Sequence, residues 1–257
     1  MTVQLSGVSF AYPAVRGNAP LIFKDIDLTV QEGQFLILLG PSGCGKSTLM
    51  RLIAGFDRAT NGMVAIDGVP VTGPGRDRGV VFQDLDSALF QWLTVRENVE
   101  FGLKITDVPK EERVSRGEEA LRMVNLSNHG HKFPDALSGG MKQRVQIARM
   151  LAMRPATMLM DEPFASLDAQ TRQMLQSQLV SIWSEVKRTA VYVTHDIREA
   201  LNLGQRIILM SAGPSATIKY DYQVELEYPR HQNDPVYIEL LERITRDVET
   251  EVKKVWV

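Results

Sequence analysis

Gly40-Pro41-Ser42-Gly43-Cys44-Gly45-Lys46-Ser47, followed by Thr48, is the stretch on which the fold turns. Its spacing is G-x-x-x-x-G-K-[ST], a pattern that carries meaning only between a strand and a helix. Before it stands Phe35-Leu36-Ile37-Leu38-Leu39, a continuous apolar run between Gly33 and Gly40, as expected of a strand buried on both faces. After it, residues 47–54 carry Leu49, Leu52 and Ile53 on one side and meet Gly55 as a stop signal, so a helix is expected. Such a turn is an anion cradle: its backbone N–H groups point inward, and the following helix adds its partial positive end. Side chains at Gly40, Gly43 and Gly45 would obstruct those groups, while Ser42 and Cys44 are small enough to share the turn. Lys46 brings a cation to the outer phosphates, the Ser47 hydroxyl suits Mg²⁺, and Thr48 is placed for an inner-phosphate contact. Alkylation of Cys44 is expected to block nucleotide binding.

The bulk composition narrows the field. With 257 residues, the chain has room for one large core, or one core and a smaller lobe. Its 44% hydrophobic and 23% charged residues are ordinary for a folded globular chain. A formal net charge of -2 gives no electrostatic footprint for a polyanion, so nucleic acid is not an expected partner. The single cysteine excludes an internal disulfide and a cysteine metal site, which fits a reducing compartment. Residues 1–10 show no basic stretch followed by a long apolar one, so no secretory signal is expected. No apolar run approaches the roughly 20 residues of a spanning helix, so any membrane role must come through a partner.

Outward from the cradle, residues 3–12 and 21–30 read as antiparallel strands, separated by Pro13, Gly17 and Pro20. Residues 63–66 and 69–71 read as a hairpin turning at Asp67-Gly68. A short strand at 80–82 ends in Gln83, and 84–92 reads as a loop. Thr94-Val95-Arg96-Glu97 has the spacing of a capping box, opening a helix expected to end near Gly102. Apolar residues at helical spacing over 110–124 and 141–153 make the middle third a helical insertion. Strands at 156–160, 190–194 and 207–210 alternate with helices at 169–185 and 197–203, which implies a mostly parallel sheet. From Asp221 comes a β-like stretch, then a helix capped by Asp234 with Pro235 in its first turn and the stripe Val236, Leu240, Ile244 and Val248.

Asp161-Glu162 closes a buried strand, where ligands bind in open parallel sheets. Asp161 is suited to hold Mg²⁺, and Glu162 to polarise an attacking water as general base. Such a pair alone is more often a helix cap; the phosphate cradle favours the chemical reading. Gln83, at another strand end, offers an amide to the metal or the lytic water. His195, at a third, offers an imidazole to a γ-phosphate. Leu137-Ser138-Gly139-Gly140-Met141-Lys142-Gln143 places a hydroxyl and two glycine N–H groups before a helix, which is either a plain cap or a second anion site.

Tyr12 in Val8-Ser9-Phe10-Ala11-Tyr12, the cradle Gly40 to Thr48, Gln83, the Leu137 to Gln143 run, Asp161-Glu162, Ser166-Leu167-Asp168 and His195 together resemble the ATP-binding subunit of ABC transporters. The resemblance covers residues 3–212, with every motif in family order. It implies an α/β fold: a P-loop NTPase (RecA-like) core with a mostly parallel sheet, an N-terminal antiparallel β subdomain and an inserted α-helical subdomain. The expected organisation is an ATP-binding domain over 1–220, with the helical subdomain inserted at about 86–153, and a C-terminal helical extension over 221–257. ATP and Mg²⁺ are the implied cofactors and hydrolysis the implied reaction. Tyr12 is implied to stack on adenine, Lys46, Ser47 and Thr48 to hold phosphates and metal, Gln83 to touch metal, Glu162 to activate water and His195 to sense the γ-phosphate. Two copies are implied to close head to tail, with Ser138, Gly139 and Gly140 capping the partner copy's ATP and Asp168 on the seam.

The surrounding wording, Trp92-Leu93-Thr94-Val95-Arg96-Glu97-Asn98 and Asp161-Glu162-Pro163-Phe164 among it, is similar to bacterial importers of nitrate, sulfonate and taurine. Gln91 departs from the proline usual there, and Ala165-Ser166 from glycine-alanine. The resemblance implies a transmembrane permease, a solute-binding protein beyond it, and a peripheral place on the cytoplasmic face of the inner membrane. Leu85, Leu89, Phe90, Trp92 and Leu93 either form a groove for the permease or belong to the lobe's core. A soluble ATPase acting on nucleic acid or ribosomes is the rival; it would call for a long coiled coil, a second cassette or a basic stripe.

Overall fold

The computed structural model describes residues 1–13, 20–83 and 88–254; Gly17, Leu85 and the first part of the loop expected over 84–92 lie outside the described residues. The chain divides into two compact units, one of Met1–Gly75 with Lys187–Val257 and the other of Arg76–Val186.

In the first unit, β1 (Val3–Phe10) pairs antiparallel with β2 (Phe23–Val30) and with β4 (Asn61–Ile66). A two-residue β5 (Val69–Pro70) returns from β4. The return is made by Asp67 and Gly68 with φ of 48° and 76°, the positive pair that a two-residue hairpin turn demands. The cradle belongs to a second sheet. There β3 (Phe35–Leu39), with every side chain buried, lies parallel to both β8 (Thr189–Val193) and β9 (Arg206–Met210), and β10 (Ile218–Gln223) adds an antiparallel edge. Burial on both faces is what the unbroken apolar spelling of β3 requires. Helix α1 (Lys46–Ala54) leaves the cradle, α6 (Ile197–Leu203) follows β8, and α7 (Pro235–Lys253) closes the chain.

Asp234 caps α7 as expected, its carboxylate accepting from Val236 N–H at 2.8 Å. The expected apolar stripe is rotated by one residue at its start. Val236 is exposed, and Tyr237 is buried in its place with its hydroxyl donating to Asn202 Oδ1 at 3.0 Å. A ring with a polar tip can be buried where its hydroxyl finds an acceptor, and hydropathy alone undervalues it.

In the second unit, β6 (Arg78–Val81) and β7 (Thr157–Asp161) form a parallel pair, and α2 (Val95–Ile105), α3 (Lys110–Met123), α4 (Gly139–Ala152) and α5 (Ala169–Val186) supply the helices. The capping box forms: Glu97 N–H donates to Thr94 Oγ1, and Thr94 N–H donates to Glu97 Oε2 at 2.8 Å. Helix α2 runs past Gly102, however. A Cβ there would come within 2.7 Å of Met153 Sδ, so the glycine serves close packing against the end of α4 and is no stop signal. Helix α4 likewise begins at Gly139, two residues earlier than its apolar spacing suggests, because Ser138 caps it.

Candidate functional site

The phosphate turn sits where the sequence places it, between β3 and α1. Gly45 has φ of 95°, and a Cβ on it would lie 2.7 Å from Ile22 Cγ2 and 2.8 Å from Phe23 Cδ1, so glycine alone fits. Lys46 is 6% exposed, and its ammonium donates to Gly40 O at 2.8 Å and Pro41 O at 2.9 Å, which stands the cation inside the turn. Ser42, Gly43 and Ser47 are exposed along the same rim, and Gly40 and Thr48 are buried. Cys44 is fully buried, with Lys46 Nζ 3.9 Å from its sulfur. Burial pushes its thiol up from the usual range, against the pull of the neighbouring ammonium. Alkylation is therefore opposed by both access and ionisation. Tyr12 is half exposed, stands edge-on to Phe10, and brings its hydroxyl to 3.3 Å from Thr48 Oγ1. The aromatic candidate and the phosphate turn are thus joined directly.

Register decides which strand-end residues meet. In the first unit Leu38 is paired with Val193, so Gly40 and His195 each lie two residues beyond the pair and leave the sheet side by side. Thr194 N–H donates to Leu38 O at 3.1 Å and extends that pairing toward the histidine. His195 is exposed, and Asp196 behind it caps α6, its carboxylate accepting from Arg198 and Glu199 N–H. In the second unit Val81 is paired with Met160, so Gln83 and Glu162 stand in the same relation. Asp161 is the last residue of β7, and Glu162 has φ of 41°, a left-handed conformation that costs a non-glycine residue about 1–2 kcal/mol. Such strain collects at functional positions.

Ser138 settles one alternative in part: its hydroxyl oxygen accepts from Met141 N–H at 3.4 Å, so it is a helix cap. A serine cap keeps its hydroxyl proton to donate, and Ser138 and Gly139 are exposed at the positive end of a fourteen-residue helix, with Gly140 half-buried behind them. Asp168 accepts from Thr171 N–H at 3.0 Å, and that bond holds its exposed carboxyl below the usual carboxylate range.

The groove differs from its sequence reading. A cavity of about 470 Å³ is lined by Phe82, Ala88, Phe90, Phe101, Gly102 and Arg149. Among the described residues of the expected set, Phe90 alone lines it; Leu89 is buried in the core, Leu93 is half-buried elsewhere, Trp92 is 74% exposed, and Leu85 lies outside the described residues. Arg149 was invisible in the sequence because it sits on a helix spelled for core packing. Its guanidinium donates to Ala88 O at 2.5 Å and lies 5.6 Å over the Phe90 ring.

A phosphate turn between strand and helix, beside a histidine on a parallel neighbour, and a carboxylate pair closing a buried strand define a P-loop NTPase. Comparison with known proteins takes the classification further. Residues 23–165 match the family described as ABC transporter, and the chain belongs to it. It is 46% identical over 238 residues to an uncharacterized ABC transporter ATP-binding protein of Methanocaldococcus jannaschii, covering 93% of this chain and 88% of that one. It is 42% identical to the nitrate import ATP-binding protein NrtD of Synechococcus elongatus, covering 91% of this chain and 86% of that one. Among solved structures, the dimeric, post-hydrolysis state of an ATP-binding cassette bound to ADP and Pi aligns with a TM-score of 0.74 and 32% identity, over 88% of this chain and all of that one. The chain is an ABC-type ATPase subunit. Among the described residues no helix is long and apolar enough to cross a membrane.

Proposed function

We propose that this ATPase powers an importer of a small anion or an organosulfur or nitrogen compound, of the nitrate, sulfonate or taurine type, by closure of two copies head to tail around ATP. The observation that supports the mechanism is that one chain exposes two different helix starts of the kind that suit an anion: the turn at Gly40 to Thr48 ahead of α1, and Ser138, Gly139 and Gly140 at the start of α4. A turn that cradles phosphates needs no second terminus of its own, whereas a head-to-tail pair uses both. The name of the nitrate import relative supports the solute class.

In this reading Tyr12 stacks on adenine. Gly40, Ser42, Gly43, Cys44 and Gly45 offer backbone N–H groups, Lys46 and Thr48 meet phosphates, and His195 contacts the γ-phosphate. Glu162 takes a proton from the attacking water. Ser47, Gln83 and Asp161 are the residues that would hold Mg²⁺, and the ion would supply charge neutralisation on the phosphate oxygens. A hydroxyl, an amide oxygen and a carboxylate are hard oxygen donors of the kind that suits Mg²⁺. Moving the pair from 1:99 closed-to-open to 99:1 takes about 5.5 kcal/mol, or roughly 2.7 kcal/mol per nucleotide. Charge-assisted hydrogen bonds of about 1.5–3 kcal/mol each from Ser138 and its neighbouring N–H groups are of that size.

The transmembrane permease docks on the Phe90 and Arg149 groove, which is apolar with one cation held in place. The subunit is then peripheral on the cytoplasmic face of the inner membrane, with the solute-binding protein reached only through the permease. The test is growth of a host lacking the gene on nitrate, sulfonate or taurine as sole nitrogen or sulfur source. Loss of growth on one of them identifies the solute, and unimpaired growth on all three rejects the class.

A further inference from the structure

The segment after β10, like α6 itself, lies beyond the residues matched to the family, and it is bonded to that helix, which begins two residues after His195. Helix α6 has seven residues, too few to hold itself. Its first turn is tied to β8: the Glu199 carboxylate, 6% exposed, accepts from the Tyr192 hydroxyl at 2.7 Å and the Thr194 hydroxyl at 2.5 Å. Its last turn is tied by the segment beyond β10. Arg230 donates from Nη1 to Leu201 O and, at 2.6 Å, to Gly204 O. The Tyr228 hydroxyl donates to Leu203 O at 2.5 Å, and the Tyr237 hydroxyl to Asn202 Oδ1 at 3.0 Å. Carbonyls at a helix end need outside partners, and here a single distant segment supplies them.

Arg230 is fixed in turn. Its Nε donates to Leu226 O at 3.1 Å, and its guanidinium lies 4.3 Å over the Tyr228 ring. Among the described residues it forms no ion pair, so carbonyl dipoles at the negative end of α6 are what balance its charge. An arginine spent in this way on a seven-residue helix calls for an explanation beyond anchoring a tail. His195 stands one residue before the Asp196 cap, and the helix spans only about 10 Å.

The geometry points to Arg230 as a positioning residue for ATP hydrolysis: by capping α6 it holds His195 in place, so the C-terminal segment sets turnover without touching nucleotide. This rests on the reading of His195 as the γ-phosphate contact. Nucleotide affinity belongs to the turn at residues 40–48 and to Tyr12, which are built separately from this cap.

The experiment is steady-state ATPase kinetics on the full chain with Arg230→Met, Arg230→Lys, His195→Ala and the Arg230→Met/His195→Ala double variant, alongside ADP affinity. Arg230→Met is expected to lower kcat by about tenfold or more, as for loss of a charge-assisted hydrogen bond, with KM and ADP affinity within about twofold. Arg230→Lys restores part of the rate, and the double variant is no slower than His195→Ala. An unchanged kcat in Arg230→Met, equal losses in kcat and ADP affinity, or a further full loss on the His195→Ala background overturns the inference. Full turnover by His195→Ala would remove the reading of the histidine and the inference together; an impaired His195→Ala beside an unimpaired Arg230→Met removes only the inference. Should Arg230→Met not fold, Tyr228→Phe removes one donor to α6 and is judged by the same split between kcat and affinity.

Discussion

The Tyr12 hydroxyl lies 3.3 Å from the Thr48 hydroxyl, so the aromatic residue at the end of the antiparallel sheet is bonded to the first turn of the phosphate-loop helix. The ring is thereby held over the nucleotide cradle by a contact that its neighbours in sequence do not provide. Base-on-ring stacking is worth about 1–3 kcal/mol by alanine substitution. Tyr12→Ala should therefore raise the ATP dissociation constant roughly 5- to 150-fold, while Tyr12→Phe, which keeps the ring and loses only the Thr48 bond, stays within a few-fold. Because stacking is indifferent to the base, GTP binding should suffer equally. Isothermal titration that finds the alanine variant unchanged would remove Tyr12 from the site.

Cys44 carries a prediction about pH. Burial raises the folded-state pKa of its thiol above that of the unfolded chain, so the protonated form is favoured by folding. That contribution is complete below the unfolded value and is lost as pH rises through the folded one. Thiolate is the reactive form, so labelling of native protein by iodoacetamide near pH 8 should be at least about tenfold slower than labelling in denaturant. Its rate should also climb at higher pH than for a free cysteine. Equal native and denatured rates would show the turn to be open around the sulfur.

Much of this was written in the sequence, and the exceptions have physical causes. The cradle, the capping box at Thr94 and the strand ends at Gln83, Glu162 and His195 were legible because each rests on local chemistry: a glycine-rich turn, an i to i+3 reciprocal bond, an apolar run that stops. The alignment of Gly40 with His195 and of Gln83 with Glu162, each two residues beyond a paired position, was not, since it follows from register between strands far apart in the chain. Arg149 and Tyr237 escaped for a related reason. A buried guanidinium or hydroxyl is acceptable only where a distant acceptor waits, here Ala88 O and Asn202 Oδ1. The Arg230 cap on α6 joins residues some thirty apart, a distance at which no local pattern operates.

Gly55 offers a test of the scaffold that leaves the chemistry alone. It ends α1 with φ of 81°, and its N–H returns to Leu52 O at 3.1 Å. A Cβ there would lie 2.2 Å from Gly73 O, a backbone atom that cannot turn aside. The left-handed conformation costs a non-glycine residue about 1–2 kcal/mol and overpacking about 1–3 kcal/mol, so Gly55→Ala should destabilise by about 3 kcal/mol. A lower urea midpoint at constant slope is the expected result. An unchanged midpoint would mean that the turn at Gly73 is free to move.

A substitution at Glu162 tests whether two copies share the nucleotide. Its position two residues beyond the Val81 to Met160 pair sets it beside Gln83, and its left-handed backbone fixes where the carboxylate leaves the strand. Glu162→Gln keeps the shape and removes the base, so proton removal from water stops while phosphate contacts from Lys46 and Ser138 remain. Turnover should fall by about 10²–10⁴-fold, the usual contribution of a general base. With ATP and Mg²⁺ the variant should double in mass by light scattering and stay so, because hydrolysis is the step that reopens the seam; with ADP it should remain a single copy. Ser138→Ala added to it should weaken that dimer, as the hydroxyl is proposed to cap the partner copy's nucleotide. A Glu162→Gln protein that binds ATP tightly yet never leaves the single-copy mass would show that the terminus at Ser138 serves its own chain alone.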